Sequence, residues 1–447
     1  MDTQKVISEA LALSKSIKAL EIGENILDRV PSVFERFFPG CKAIVVADDN
    51  TWKAAGDEVF KQFEKTSIPV SKYLFNQIGF HADWAFVEDL ENTIAKEKGI
   101  LVAVGSGVIN DLAKLSSYRA GQQYMCVATA ASVDGYCSSS SSVNDQRGAK
   151  CSIYASSPVA IVADTAVLGA APNPYTAAGY ADLAAKVSAG AEWMIADLFG
   201  TEPIHETGWS LTQDSLKDMI SDPDGIRAGD PKAVEKLFVG LSLAGIGMEV
   251  AGSSRPASCS DHLYNHYLDM THHTHNGKSV SHGFQVAVGE LVVCALFDAF
   301  LDMDLSQIDV DKCVENWPSL ESEQKRATEL FKDFPVPTLG YEEISVKWQG
   351  PEEVRAELQK VKDNWPEFRN KLKNQCYSYA KMKDLFARAG VPTCGEDIGV
   401  SNVQLRKMTD FVQLMRWRIN LLDLAKRAGI YDELLDKVFG AGGPFEC

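Results

Sequence analysis

The chain has 447 residues, 45% of them hydrophobic and 23% charged. That is an ordinary globular balance, in a chain long enough for two or more domains. The formal net charge of −17 argues against nucleic acid or an anionic membrane as a main partner, because both require a basic surface. The N-terminus lacks a basic start followed by a long apolar core, and no uninterrupted apolar run is long enough to span a bilayer. The ten cysteines are dispersed and none forms C-x-x-C. Several sit in apolar segments, such as Cys126 and Cys294, as reduced thiols of a cytoplasmic protein do.

The first third alternates between strand and helix signals. KAIVVADD from Lys42 and VSKYLF from Val70 read as strands. HADWAFVEDLENTIAKEKG from His81 reads as a helix. GILVAVG from Gly99 is an apolar strand that runs straight into a Gly turn and a helix, GSGVINDLAKLSSYRAG. YMCVATA from Tyr124 and VAIVADTAVL from Val159 complete the set. Near-continuous apolar strands alternating with helices predict a parallel sheet buried on both faces. The serine-rich SVDGYCSSSSSVNDQRGAKCSIY lies between two strands and reads as a loop or hairpin. Its place inside the α/β part favours an active-site loop over a linker. Beyond Leu168 the signal turns helical. PNPYTAAGYADLAAKVSAGAEWMIADLFG reads as one helix entered through Pro and ended by Gly, and KAVEKLFVGLSLAGIGMEVAG as another. The expected fold class is therefore α/β: an N-terminal Rossmann-like parallel-sheet domain, residues 1–168, followed by a mainly helical metal-binding domain, residues 169–447.

Six of the eight histidines fall between His262 and His282. His262 and His266 are four apart, so on a helix they share one face. His282 opens another apolar run after a polar turn. Two histidines from successive helices and one carboxylate make a three-ligand site with an open position, the form suited to catalysis. Asp182, in the small-residue helix AAGYADLAAK, either faces solvent or completes that set as a ligand for Zn²⁺, Ni²⁺ or Fe²⁺. His272, His273 and His275 read as a solvated loop. Gly105-Ser106-Gly107 joins a strand to a helix start, which is either a plain joint or a phosphate cradle of unpaired N–H groups. It is not G-x-G-x-x-G, because Asn110 stands at the third glycine position. Asp48, at the end of the first strong strand, either accepts from an adenosine ribose or caps a helix. H-L-Y-N-H lacks the glutamate of the zincin motif, and neither G-x-S-x-G nor a P-loop is present.

GSGVINDLAK, VATAASVDGYCSSSSS, GYADLAAK, SSRPASCSDHLYNH and SHGFQVAVGE together resemble the glycerol-1-phosphate dehydrogenase family, within the iron-containing alcohol dehydrogenase and dehydroquinate synthase-like superfamily. The resemblance runs from about residue 20 to about 440. SRPAS-x-S-[DE]-H is its most specific element. IGVSNVQLRKM and INLLDLAKRAGIYDELL look most like the bacterial branch. Ser106 departs from the commoner glycine, and a serine with negative φ serves there. The resemblance implies that Gly105, Ser106, Gly107, Val108 and Ile109 hold the pyrophosphate of NAD, or of NADP. It places Thr129, Ala130, Ala131, Ser132 and Ser138 at the nicotinamide half and Asp48 at the adenosine ribose. Asp134 would hold substrate hydroxyls. Asp182, His262 and His282 would bind one divalent metal, Zn or Ni, with Asp182 also touching substrate and His266 facing it. Arg255, in the same element, is a candidate for the substrate phosphate because its rigid fork suits that role.

The implied reaction is metal-dependent reduction of dihydroxyacetone phosphate to sn-glycerol 1-phosphate and the reverse oxidation, catalysed by a homo-oligomer, with a dimer favoured. The chemistry agrees: a hydride leaves or reaches C2 only if the adjacent oxygen is polarised, which a divalent cation does. Three alternatives stand beside it. A cyclase resembling dehydroquinate synthase would show no net turnover of NADH. A glycerol or polyol dehydrogenase would lack the SRPAS element. A binding protein that kept the fold would have no need of the ligand set. The absence of an Arg or Lys in DDNTW next to Asp48 favours phosphate-free NAD.

Overall fold

The computed structural model describes residues 3–75, 80–146 and 150–447. The chain forms two compact units, Met1–Leu183 with Ser210–Ser254, and Ala184–Trp209 with Arg255–Cys447.

The first unit is built on a parallel six-stranded sheet. Its strands are β1 (Ala19–Gly23), β2 (Lys42–Asp48), β3 (Val70–Phe75), β4 (Gly99–Gly105), β5 (Met125–Ala128) and β8 (Ala160–Asp164), in the order β1-β8-β5-β4-β2-β3. Every residue of β4, β5 and β8 is buried, which is why these strands read as unbroken apolar runs rather than alternating ones. On one face Val45, Val102, Val104 and Val127 pack with Phe34, Val59 and Phe63. From β2 the chain goes to β3 on one side, then crosses to β4 on the other and continues outward to β5 and β8. The crevice at the carboxyl ends of β2 and β4 is thus the switch point where open α/β sheets bind ligands.

One feature of this unit was not anticipated, and one was left between two readings. β1 is too short, and too interrupted by Glu21, to show an apolar run. It becomes a strand by pairing along β8, Ala19 with Ala160 through Gly23 with Asp164. The serine-rich segment forms an antiparallel hairpin of β6 (Ser140–Asn144) and β7 (Lys150–Tyr154). Its Arg147, Gly148 and Ala149 lie outside the described residues.

The expected single helix after Leu168 is two, Asn173–Ala184 and Lys186–Phe199. No residue at the join breaks a helix by propensity, so the break at Ala185 is set by packing. The second unit is helical, and among its described residues the only strands are Thr274–His275 and Lys278–Ser279. The His272–His275 run forms this small hairpin; His272 is exposed and the ring of His273 bonds Ile398 O at 2.6 Å. The helix His282–Leu301 crosses the helix Ser260–Met270 closely. A Cβ on Gly289 would collide with the carbonyl of Asp261 and stand 2.9 Å from Tyr264 Cβ. His282–Leu301 is long and apolar enough to cross a membrane by length and composition, yet 83% of its most apolar window is buried in the protein. Glu290, fully buried in its middle, interrupts the run in the sequence.

Candidate functional site

The dinucleotide turn sits at the switch point. The pairing of β2 with β4 runs to Val46 and Ala103, and Asp48 and Gly105 end these strands two residues further on, paired with Phe75 and Ala128. Ser106 caps the helix Gly107–Arg119 with φ −113, an extended backbone that serine adopts without strain. A Cβ on Gly105 would stand 2.5 Å from Ile109 Cβ, whereas one on Gly107 would meet nothing nearer than Val133 Cγ2 at 3.9 Å. Gly105 is therefore required by packing, and Gly107 leaves the helix start open. The first N–H groups of that helix have no intrahelical partner and carry the positive end of the dipole, which fits a pyrophosphate. Val108 is exposed and Ile109 is buried beneath the turn.

The segment after β5 wraps against the same turn. Thr129 N donates to Gly105 O at 3.1 Å. Tyr136 OH lies 3.2 Å from Gly105 O and 2.9 Å from Ala130 O. Thr129, Ala130, Ala131, Ser132 and Ser138 are all buried, so these five candidates share one packed wall with the turn. Asp48 caps its own helix: Oδ1 accepts from Asn50 N at 2.9 Å and Thr51 N at 2.7 Å. Both of these bonds fall on one carboxylate oxygen.

In the second unit the rings of His262 and His282 lie side by side, centroids 5.3 Å apart, and Asp182 belongs to the first unit. Asp182 is fully buried, and its Oδ2 accepts from Asp134 N at 3.0 Å. The reason it can do so is Gly179, one turn earlier. A Cβ there would run into the Ala131 carbonyl and stand 3.0 Å from Ser132 Cα, so only glycine lets the helix approach the 130–132 backbone. His262 Nδ1 is hydrogen-bonded to the buried Asp261 carboxylate, which leaves Nε2 as the nitrogen that could coordinate a metal. Cys259 N donates to Asp261 at 3.2 Å and fixes that carboxylate in turn. Asn265 Nδ2 donates to Gln285 Oε1 at 2.7 Å, and Gln285 Nε2 to Val280 O at 3.1 Å, bracing the backbone that delivers His282. A carboxylate oxygen and imidazole nitrogens are the donor types that suit a divalent transition metal.

The description "iron-containing alcohol dehydrogenase" belongs to the family model that matches residues 21–172. A glycerol-1-phosphate dehydrogenase [NAD(P)+] from Thermococcus kodakarensis is 35% identical over 283 residues, 62% of this chain and 76% of the relative. The chain belongs to the glycerol-1-phosphate dehydrogenase family. A Bacillus licheniformis member of the family is 27% identical over 78% of this chain and 87% of its own. The solved structure of a probable glycerol dehydrogenase from Sinorhizobium meliloti shares the fold. Its TM-score is 0.58 at 17% identity, covering 94% of this chain and 96% of that one.

Within this member of the family, Arg255 is placed differently from a surface phosphate clamp. It is 1% exposed. Nη2 donates to Glu192 O at 2.7 Å and Ile419 O at 2.9 Å, and Nε lies 3.6 Å from the Glu202 carboxylate. Its fork ties the SRPAS element to two other segments. Glu192 anchors the same element from the other side, accepting Ser260 N, Ser260 Oγ and Leu421 N at 2.9, 2.7 and 3.0 Å. Burial pushes the Glu192 carboxyl above the usual range, against those donors. His266 is half-buried, one turn beyond His262, and Asp134 is half-buried at the start of the Asp134–Tyr136 turn. Asp261 escaped the sequence reading because adjacent helical residues do not normally face each other. Only at the first turn of a helix does its carboxylate fold back on the next ring. The pairing of an acidic residue with the histidine in S-D-H was the available signal.

Proposed function

We propose that the protein catalyses NAD(P)- and metal-dependent reduction of dihydroxyacetone phosphate to sn-glycerol 1-phosphate, and the reverse oxidation. The observation that carries this reading is the His262 and His282 pair, ring centroids 5.3 Å apart with His262 oriented by the buried Asp261, in a chain 35% identical to a glycerol-1-phosphate dehydrogenase. Asp182, His262 and His282 are the residues that would hold the metal, and a carboxylate with two imidazoles would suit Zn²⁺ or Ni²⁺. When bound, the metal supplies Lewis-acid polarisation of the C2 oxygen and the dinucleotide supplies or accepts the hydride.

The chain's own residues supply the rest. The N–H groups of Gly107, Val108 and Ile109 hold the pyrophosphate beside Gly105 and Ser106. Thr129 to Ser132, with Ser138, form the nicotinamide wall and exclude water from it. Asp134 orients substrate hydroxyls. His266 gives the C2 oxygen its proton in reduction and removes it in oxidation. Asp48 meets the ribose through the carboxylate oxygen that the cap bonds do not use, which favours NAD over NADP. Arg255 takes no part in holding the substrate phosphate in this scheme.

The test is turnover of dihydroxyacetone phosphate with NADH and with NADPH, before and after chelation and after readdition of Zn²⁺ or Ni²⁺. Chiral analysis of the product is the decisive arm. Formation of glycerol 3-phosphate alone, or full activity in the chelated protein, would overturn the assignment.

A further inference from the structure

We infer that Lys114 is a positioning residue: its single ammonium fixes the 134–140 segment to the helix that opens at the dinucleotide turn. Lys114 is fully buried. Nζ donates to Gly135 O at 2.6 Å, Ser138 O at 3.0 Å and Ser140 O at 2.9 Å. A lysine ammonium has three N–H bonds, and here three main-chain carbonyls receive them. No residue other than lysine brings a compact point donor of this kind to the end of a long stem. Asp111 Oδ1 lies 3.8 Å away and balances the charge. Burial pushes the Lys114 pKa down from the ordinary 10.5, and Asp111 opposes that shift.

The neighbouring bonds show that this is a seam rather than a single contact. Asn110 Nδ2 lies 3.4 Å from Gly135 O, and Tyr124 OH donates to Asn110 Oδ1 at 2.8 Å. Ser141 Oγ donates to Asp111 O at 3.1 Å and Ser142 N to Asp111 Oδ2 at 3.3 Å. One face of the helix Gly107–Arg119 therefore holds residues 135–142 by their backbone. From the other side, a Cβ on Gly245 would stand 2.6 Å from Cys137 Cβ, so the segment is pressed against the seam. The same segment begins at Asp134, whose N–H donates to the metal-ligand candidate Asp182. Lys114 thus links the pyrophosphate turn at one end of its helix to the backbone that carries Asp134 and Ser138.

This inference rests on the reading of that segment as the substrate and nicotinamide wall. It is tested on the full-length, metal-loaded protein with Lys114→Met, which keeps the stem and removes the donors. The turn itself is untouched, so NADH affinity measured by fluorescence stays within about threefold of the parent, while kcat for dihydroxyacetone phosphate falls about a hundredfold, the scale of an ångström-level misplacement. Amide hydrogen exchange speeds up across residues 134–142 and not across β4 or the turn. Unchanged kcat overturns the inference, and so does a parallel loss of NADH affinity and kcat with faster exchange throughout the unit. If Lys114→Met does not fold, Lys114→Arg is read by the same split, with kcat about tenfold low and NADH affinity retained. Should the parent protein fail to reduce dihydroxyacetone phosphate, the functional reading falls, and the exchange pattern of the variant still decides the role of Lys114.

Discussion

Gly179→Ala sets two physical effects against each other. Inside a helix, alanine is favoured over glycine by about 1 kcal/mol, so propensity alone predicts a more stable protein. The structure predicts the opposite. The new Cβ would stand 2.8 Å from Ala131 C and 3.0 Å from Ser132 Cα, and would collide outright with the Ala131 carbonyl oxygen. Ordinary carbon–carbon contact is about 3.5–4.0 Å, so helix and loop must part by roughly an ångström. Both obstacles are backbone, with no flexible side-chain end to yield. Overpacking of this kind costs about 1–3 kcal/mol, leaving a net loss of about 0–2 kcal/mol after the propensity gain, and the unyielding backbone obstacles put this site at the upper end. For a unit of this size a loss of about 2 kcal/mol is a fall in Tm of roughly 4–8 °C. The displaced backbone carries Ala131 and Ser132, and the helix carries Asp182 one turn on, so turnover should fall by about a hundredfold. Differential scanning calorimetry and steady-state reduction with NADH measure the two parts. A Gly179→Ala protein that melts higher than the parent with unchanged kcat would refute the reasoning.

Asp261→Asn keeps the shape but weakens the partner that orients His262, and metal affinity should drop about 10- to 100-fold by competition with a chelator; unchanged affinity would show that His262 is oriented by something else. Arg255→Met should cost about 3 kcal/mol of stability, because Glu192 O and Ile419 O lose their donor and the half-buried Glu202 is left with Arg418 as its cation. KM for the substrate should not move, whereas a phosphate ligand would raise KM with stability unchanged. The Lys42 and Ser71 hydrogen bonds hold the Glu97 carboxyl below its ordinary 4.5. That stabilisation is full above pH 4.5 and is lost as pH falls through the lower folded value. Glu97→Gln should therefore lower Tm at pH 7 by an amount worth about 1 kcal/mol and converge with the parent as the carboxyl protonates in acid, and a constant gap between the two melting curves would count against it. Asp48→Gly should narrow the preference for NADH over NADPH from about tenfold by removing the like charge; equal kcat/KM for the two cofactors in the parent would leave Asp48 as a helix cap alone.

The sequence by itself determined the α/β sheet and the helical remainder. Buried parallel strands leave an unbroken apolar signature, as in GILVAVG, and that signature is local. It also marked the metal-ligand candidates, because scarce histidines stand out one by one. Gly105 was legible for the same reason: a strand that meets a helix through glycine leaves a short contiguous trace. What it left open were choices between two local readings. Asp48 was a ribose acceptor or a cap, and only the geometry of Asn50 N and Thr51 N shows the cap bonds formed. Arg255 read as a candidate for the substrate phosphate, and only the packed chain shows two of its fork's partners to be main-chain carbonyls. β1 has almost no strand signal of its own and exists because β8 offers it an edge. The helix break at Ala185, the collision that reserves position 179 for glycine and the three carbonyls around Lys114 have the same origin. Each depends on atoms many residues away in the chain, so no window of sequence contains both partners. Periodicity and composition report what a residue is, whereas contact between distant segments decides what it does, and that is settled only when the chain has packed.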